Sequence, residues 1–382
     1  MAPTGLWLIG ARGSVATTAI TGLLALRAGV VPPVGCVSAQ QEFADVPLPD
    51  WDEIHVGGHD ITDTSLEKRA ELLAESGVIP HRVLEAVRPA LSEVDDQVRP
   101  GYHPATHTGT QADAARALSA DLSAFAERHG LARVVVVNVS STEPVFPPLP
   151  EHDNLETLEA AMAVPGRTVL PPSSVAAYAA LRADCPFVDF TPSTGVRLPA
   201  LTALADRRKV PYAGSDGKTG ETLVRTTLAP MFTTRGLTVR SWAGTNLLGG
   251  GDGMTLADAE HAGSKLASKG RGLATLLGRE VTAPLHIDNV PDLGEQKIAW
   301  DHVSFDGFLG ARMSMQFTWT GYDSSLAAPL VLDLARFTAA AHAAGRTGAL
   351  KELAFFFKDP MGSDEHRLAQ QFSALVDWAA TL

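Results

Sequence analysis

Residues 133–137 read RVVVV and run straight into the polar segment NVSSTEP, so a strand-length apolar run is bounded by polar residues. Such a run has no face fit for water and belongs inside a sheet covered on both sides. The rest of the first half follows suit. Leu6–Ile9 is apolar, ends at Gly10 and precedes a helical stretch, Ser14–Arg27. Val34–Val37 reads as a second strand, and Phe187–Phe190 as another between helices predicted over Ser174–Ala183 and Leu198–Arg207. β-rich runs alternating with Ala/Leu-rich helical stretches specify a parallel sheet wrapped by helices.

After about residue 216 the texture changes. A helix over Thr222–Phe232 leads to a strand over Leu237–Trp242, and Pro284–Val290 and Ser304–Trp319 read as antiparallel strands. A long helix over Ala327–Ala344 follows, and Glu352–Lys358 and Glu365–Thr381 close the chain. At 382 residues and 40.2 kDa, with 45% hydrophobic and 19% charged residues, the chain suits two domains with a large core. The expected fold is α/β. A Rossmann-type domain spans 1–215, an inserted α+β domain spans 216–335, and 336–382 returns to the first domain. The stretch 91–106 reads as a surface excursion.

The formal net charge of -12 and pI near 5.4 argue against nucleic acid or an anionic membrane as partner, while leaving room for one basic cleft. Only Cys36 and Cys185 are present, which argues against a disulfide framework or a Cys-based zinc site. The start, MAPTGLWLIGAR, lacks the basic region and long apolar run of a signal peptide, and no stretch reaches the length of a membrane span. A soluble, cytoplasmic protein is expected.

Gly10-Ala11-Arg12-Gly13-Ser14-Val15 follows a strand and opens a helix, the setting of a dinucleotide phosphate turn. Gly10 would allow the tight turn, and Gly13 would let backbone N–H groups approach a pyrophosphate. Only two of the three fingerprint glycines are present, so a strand–turn–helix without a nucleotide also fits. The acid expected after the second strand is missing, since that position reads SAQQEF. Two further Gly-rich turns, AGSDGKTGETLVR at 213–225 and WAGTNLLGGGDGMTLADAEHAGSKLASK at 242–269, each lead into a predicted helix. They carry Asp216, Lys218, Asn246, Asp252, Lys265 and Lys269. Glycines around lysines suit a site that brings backbone against an anionic ligand. Lys265 and Lys269 share one face of the helix predicted over 255–275, where two solvated lysines are the plainer alternative. Lys297 lies in VPDLGEQKIAWD, Asp323 in WTGYDSSLAAP just before a helix, and Lys358 in LAFFFKDPM at the edge of a core.

These segments together resemble the myo-inositol-1-phosphate synthase family, especially its shorter prokaryotic branch, from the first strand to the last helix. GGHDI at 57–61 is similar to the family's GGxDI segment, which implies that Asp60 contacts the adenosine ribose. NVSSTEP at 138–144 resembles the segment lining the nicotinamide side. The resemblance implies NAD, held by Gly10, Ala11, Arg12, Gly13, Ser14, Val15, Asp60, Ser140, Ser141, Thr142, Ser173, Asp216 and Asp252. The catalytic and substrate set it implies is Asp216, Asn246, Ser264, Lys265, Lys269, Lys297, Asp323 and Lys358. Two positions depart from the family: Gly250 stands where a side-chain oxygen is usual, and Thr245 where an aromatic is common. The first removes a ligand for a metal or cofactor phosphate, which leaves open whether a divalent or monovalent cation joins the site.

The resemblance implies cyclisation of a hexose 6-phosphate, glucose 6-phosphate first, to a cyclitol phosphate without net redox change. The C5 hydroxyl is oxidised, a C6 proton is lost, the enolate attacks C1, and the ketone is reduced again. Lys297, paired with a carboxylate such as Asp323, is the base expected at the C5 hydroxyl, and a lysine serves so only with a lowered pKa. Lys265 and Lys358 suit the enolate and alkoxide, and Ser264 and Lys269 the phosphate. A homotetramer is implied as well. Three other readings share these residues: a paralogue that makes a five-membered cyclitol from fructose 6-phosphate, an ordinary NAD(P)-dependent dehydrogenase, and a non-catalytic NAD-binding protein.

Overall fold

The computed structural model describes residues 2–249 and 273–382. The strands β1 (Thr4–Ile9), β2 (Ile54–Asp60), β3 (Val98–Pro100), β4 (Arg133–Asn138), β5 (Phe187–Asp189) and β6 (Pro211–Gly214) pair in parallel. The chain then builds a second sheet from β7 (Thr238–Leu248), β8 (Leu285–Asn289), β9 (Gln296–Asp306) and β10 (Arg312–Tyr322), in the order β10-β9-β7-β8. It returns as β11 (Gly348–Ala349), which pairs in parallel with β6. The first sheet thus has seven strands in the order β11-β6-β5-β4-β1-β2-β3. The strand order reverses between β1 and β4, where an open α/β sheet has its binding crevice.

Alternate residues of the central strands feed two different cores. Leu6, Leu8, Val135 and Val137 join the layer formed with α1 (Ser14–Arg27), α2 (Leu66–Glu75) and α3 (His81–Asp95). Trp7, Val134 and Val136 join the opposite layer, with α4 (Gln111–His129), α5 (Leu155–Met162), α6 (Pro172–Arg182) and α7 (Pro199–Arg208). This two-sided burial is why β4 reads as unbroken valine. In the second unit α8 (Gly220–Thr234) covers one sheet face, with Phe232, Trp242 and Val303 at its core.

Four expectations change. Pro284–Val290 and Ser304–Trp319 are not two antiparallel strands: β8 runs parallel to β7, and the second segment is divided by the turn between β9 and β10. Val34–Val37 is not a strand, because Pro32 and Pro33 precede it and Gly35 takes a φ of +86°. The chain instead makes a short 3-10 turn, Val37–Ala39, whose Val37 and Ser38 N–H groups bond Asp333 at 2.7 and 3.0 Å. The second strand of the sheet is therefore β2, and the acid at its end is Asp60 itself, not a residue of SAQQEF. The segment 91–106 is also no mere excursion, since it supplies the end of α3 and the edge strand β3. Finally, α9 (Asp323–Ala343) is one helix whose Ala327, Val331 and Leu334 lie in the same core as β1, so the boundary expected at 335 falls inside it. After β11, α10 (Leu368–Ala379) packs Leu375 and Ala379 into that core too.

Candidate active site

The turn after β1 is shaped by its neighbours. Gly10 has a φ of +83°, and a Cβ there would lie 2.7 Å from Ser140 Cα in the loop after β4. Only glycine fits both conditions. The N–H groups of Gly10 and Ala11 bond the His59 carbonyl at 2.9 and 3.2 Å, tying the turn to the end of β2. Gly57 and Gly58 allow that closeness, since a Cβ on them would strike the Trp7 ring at 2.7 Å and Ala11 Cβ at 2.5 Å. Asp60 completes the brace. Its Oδ2 accepts from the Arg12 N–H at 2.7 Å and its Oδ1 from Thr62 at 2.8 Å. The Arg12 guanidinium turns aside to Asp95 and to the Thr62 carbonyl.

Gly13 caps α1 without any side-chain acceptor, so the first N–H groups of the helix lack an internal partner. Ser14 and Val15 face a cavity of about 610 Å3. Uncapped N–H groups at a helix start suit a pyrophosphate, so these residues fit a dinucleotide. The same cavity is bordered by Asp60 at one end and by Ser140, Ser141, Thr142, Glu143 and Ser173 at the other.

Two lysine–carboxylate pairs reach this cavity from the remainder of the chain. The segment 214–218 runs beside 356–361, with Lys218 N to Phe356 O at 2.8 Å, Lys358 N to Asp216 O at 2.7 Å and Met361 N to Gly214 O at 2.7 Å. That ladder sets Lys358 Nζ 2.8 Å from Asp216 Oδ1. Lys297 stands at the start of β9, opposite Gly321 of β10, and Asp323 opens α9 directly after β10. Their Nζ–Oδ2 distance is 2.9 Å. Asp216, Lys297, Asp323 and Lys358 all line the cavity. The two pairs differ in wetness: Lys358 and Asp216 are 14% and 5% exposed, Lys297 and Asp323 15% and 36%. The first acts in the lower dielectric, and the second has an outlet to water.

Asn246 behaves differently. It is buried on β7, donates to Glu221 at 2.9 Å and does not line the cavity. Glu221 pairs with Arg225, which also bonds Asp301, and Trp242 donates to Asp301 at 2.7 Å. Burial first and the Glu221 charge second push the Asp301 carboxyl above its usual range. Lys218 also misses the cavity. It is buried against Gln371 and the Phe355 ring, and burial pushes its ammonium down to about 7. Asp252, Ser264, Lys265 and Lys269, with Gly250, lie outside the described residues. Among the described residues no group of His, Cys, Asp or Glu is placed to hold a metal ion.

Two acids near the loops after β4 and β5 escaped the sequence reading, of which only Glu143 lines the cavity. Glu143 lines the cavity, and burial raises its pKa against the pull of its Ser173 bonds. Asp189, wholly buried at the end of β5, is pushed up to about 7 by burial, against bonds from Asn138 at 2.8 Å and Ser193 at 2.9 Å. Glu143 lay within the quoted NVSSTEP segment, so its position after β4 was the available signal.

A parallel sheet with a phosphate turn at its switch point, joined to one lysine–carboxylate pair from the second sheet and its following helix and another from the segments after β6 and β11, defines a dinucleotide-dependent enzyme acting on an anionic substrate. An NAD-binding family profile described as myo-inositol-1-phosphate synthase matches residues 4–380. Inositol-3-phosphate synthase 1 of Bacteroides thetaiotaomicron is 35% identical over 95% of this chain and 90% of its own. The chain belongs to the myo-inositol-1-phosphate synthase family. In fold it is similar to the inositol-3-phosphate synthase of Caenorhabditis elegans, with a TM-score of 0.89 and 22% identity over 100% of this chain and 86% of that one. A myo-inositol-1-phosphate synthase-related protein of Thermotoga maritima superposes with a TM-score of 0.79 and 23% identity, covering 100% and 99% of the two chains.

Proposed function

We propose that this chain converts glucose 6-phosphate to inositol 1-phosphate in an NAD-dependent cyclisation without net redox change. The observation that carries the reading is that both lysine–carboxylate pairs face the cavity that holds the phosphate turn. NAD, when bound, supplies a hydride acceptor that later gives the hydride back. The protein's part is to move protons and to stabilise negative charge. Lys297 takes the proton of the C5 hydroxyl, and Asp323, the more exposed partner, passes it towards water. Lys358, drier and fixed by Asp216, faces the oxygen that gains charge during enolisation and ring closure. Lys265 shares that charge, and Ser264 and Lys269 take the substrate phosphate. Asn246 acts through Glu221, from behind the site.

The same reading divides the chain into an NAD-binding unit, an inserted catalytic unit from about residue 216, and a return that begins with α9. It places the protein in the cytoplasm; no helix among the described residues is long and apolar enough to cross a membrane. It makes the protein a homotetramer. The sheet face opposite α8 supports this, with Trp300 40% exposed there and Phe308 and Leu309 at 89% and 90% on the β9–β10 hairpin tip.

Purified protein given NAD+ with glucose 6-phosphate or fructose 6-phosphate tests the reading, with NMR of the products. Inositol phosphate from glucose 6-phosphate and no accumulating NADH is the expected result. A five-membered cyclitol from the ketose would assign the paralogous reaction, and NADH in step with product an ordinary dehydrogenase. Parallel assays in chelator and with added divalent or monovalent cations decide whether a cation takes part.

A further inference from the structure

Glu143 is the one ionisable side chain that the loops after β4 and β5 and the start of α6 bring to the cavity, among the described residues. Those loops lie on the β4–β5 side of the switch point, while Asp60 lies on the β2 side. A dinucleotide bound across the β1 turn therefore puts its adenosine towards Asp60 and its nicotinamide towards Glu143.

The Glu143 carboxylate is held firmly. Its Oε1 accepts from the Ser173 backbone N–H at 2.6 Å and its Oε2 from the Ser173 hydroxyl at 2.5 Å. Ser173 is fixed in turn by the Gly195 N–H, 3.0 Å from its oxygen. None of the described lysines, arginines or histidines forms an ion pair with Glu143. A half-buried carboxylate with hydrogen bonds and, among the described residues, no counter-cation is stabilised further by any positive charge brought beside it. The nicotinamide ring is a cation when oxidised and neutral when reduced, and its carboxamide offers two N–H donors in both states.

We infer that Glu143 sets the redox bias of the bound cofactor, favouring NAD+ over NADH by supplying the negative charge that the oxidised ring needs. The inference rests on the assignment of NAD to this cavity. It gives the enzyme a reason to finish each turnover with its cofactor oxidised, as a reaction without net redox change requires. Glu143 touches the cofactor and leaves the sugar to the lysines.

Equilibrium binding of NAD+, NADH and ADP-ribose to the full chain, wild type and Glu143→Gln, tests this without turnover. Glutamine keeps an oxygen to accept from the Ser173 N–H, removes the charge, and turns the bond with the Ser173 hydroxyl round so that the amide donates; ADP-ribose reports any loss from that rearrangement. The expected result is an NAD+/NADH ratio of dissociation constants about tenfold higher in the variant, with ADP-ribose unchanged. An unchanged ratio, with all three ligands weakened alike or not at all, would show a purely structural role and overturn the inference. Failure of wild-type protein to bind any of the three would remove the cofactor assignment and the inference with it.

Discussion

Lys297 and Lys358 each have a carboxylate within hydrogen-bond distance, yet the two pairs stand in different surroundings and should fail at different steps. Lys297→Ala should bind NAD normally and form no NADH absorbance in a single turnover, since the C5 proton loses its acceptor. Lys358→Ala should still form enzyme-bound NADH and stop before ring closure. Loss of a general base costs about 10²–10⁴ in rate and loss of an oxyanion contact about 10²–10³. The stalled step therefore separates the roles where the rate does not. Near-normal NADH formation by Lys297→Ala would remove that lysine from the first step. Asp189 gives a second test, by pH. Its folded pKa of about 7 lies above the ordinary 3.8, so the folded state holds the proton more tightly. The cost of ionising it is absent below about 3.8, grows as pH rises between about 4 and 7, and levels off above that. Asp189→Asn should thus gain on wild type in urea unfolding between about pH 4 and 7, by at most about 4 kcal/mol, with no further gain above about pH 8. A difference that stays flat with pH would contradict the assignment.

The turn after β1 and the strand β4 were plain in the sequence because local pattern and tertiary role agree there. β2 was hidden. Its IHVGGHD has two glycines in the middle of a strand, where they lower β propensity. They are there to admit the Trp7 ring and Ala11, a contact that no window of sequence displays. Val34–Val37 had the better composition and the wrong surroundings, because two prolines and Asp333 hold it as a turn. The Lys297–Asp323 pairing was expected from the family resemblance alone, and the register that sets Lys297 opposite Gly321, two residues before Asp323, brings it about. The Lys358–Asp216 pairing could not be expected, since it depends on a backbone ladder between segments 142 residues apart. The turn itself can be tested by Gly10→Ala, which puts a methyl against Ser140 in a backbone conformation with φ of +83°. It should weaken NAD binding more than tenfold in calorimetry and lower stability by about 1–3 kcal/mol. Wild-type affinity in that variant would show that the turn does not hold the cofactor.

The chain begins and ends in the same core. β11 joins β6, and α9 and α10 pack beside β1, so the inserted sheet is clamped at both junctions and its Lys297 is delivered to the cavity that Lys358 of the returning segment also lines. The inserted sheet leaves one face with Trp300 exposed. Light scattering at micromolar concentration should give four times the 40.2 kDa of one chain, and a monomer would contradict the assembly. The proposed cyclisation requires one cofactor to take a hydride from C5 and return it within the same site. Glucose 6-phosphate carrying deuterium at C5, turned over with unlabelled NAD+ in ordinary water, puts that to the test by NMR. The expected product is an inositol phosphate that retains the deuterium at the corresponding carbon, with no labelled cofactor released. Loss of the label from the product, or its appearance in free reduced cofactor, would contradict that cyclisation.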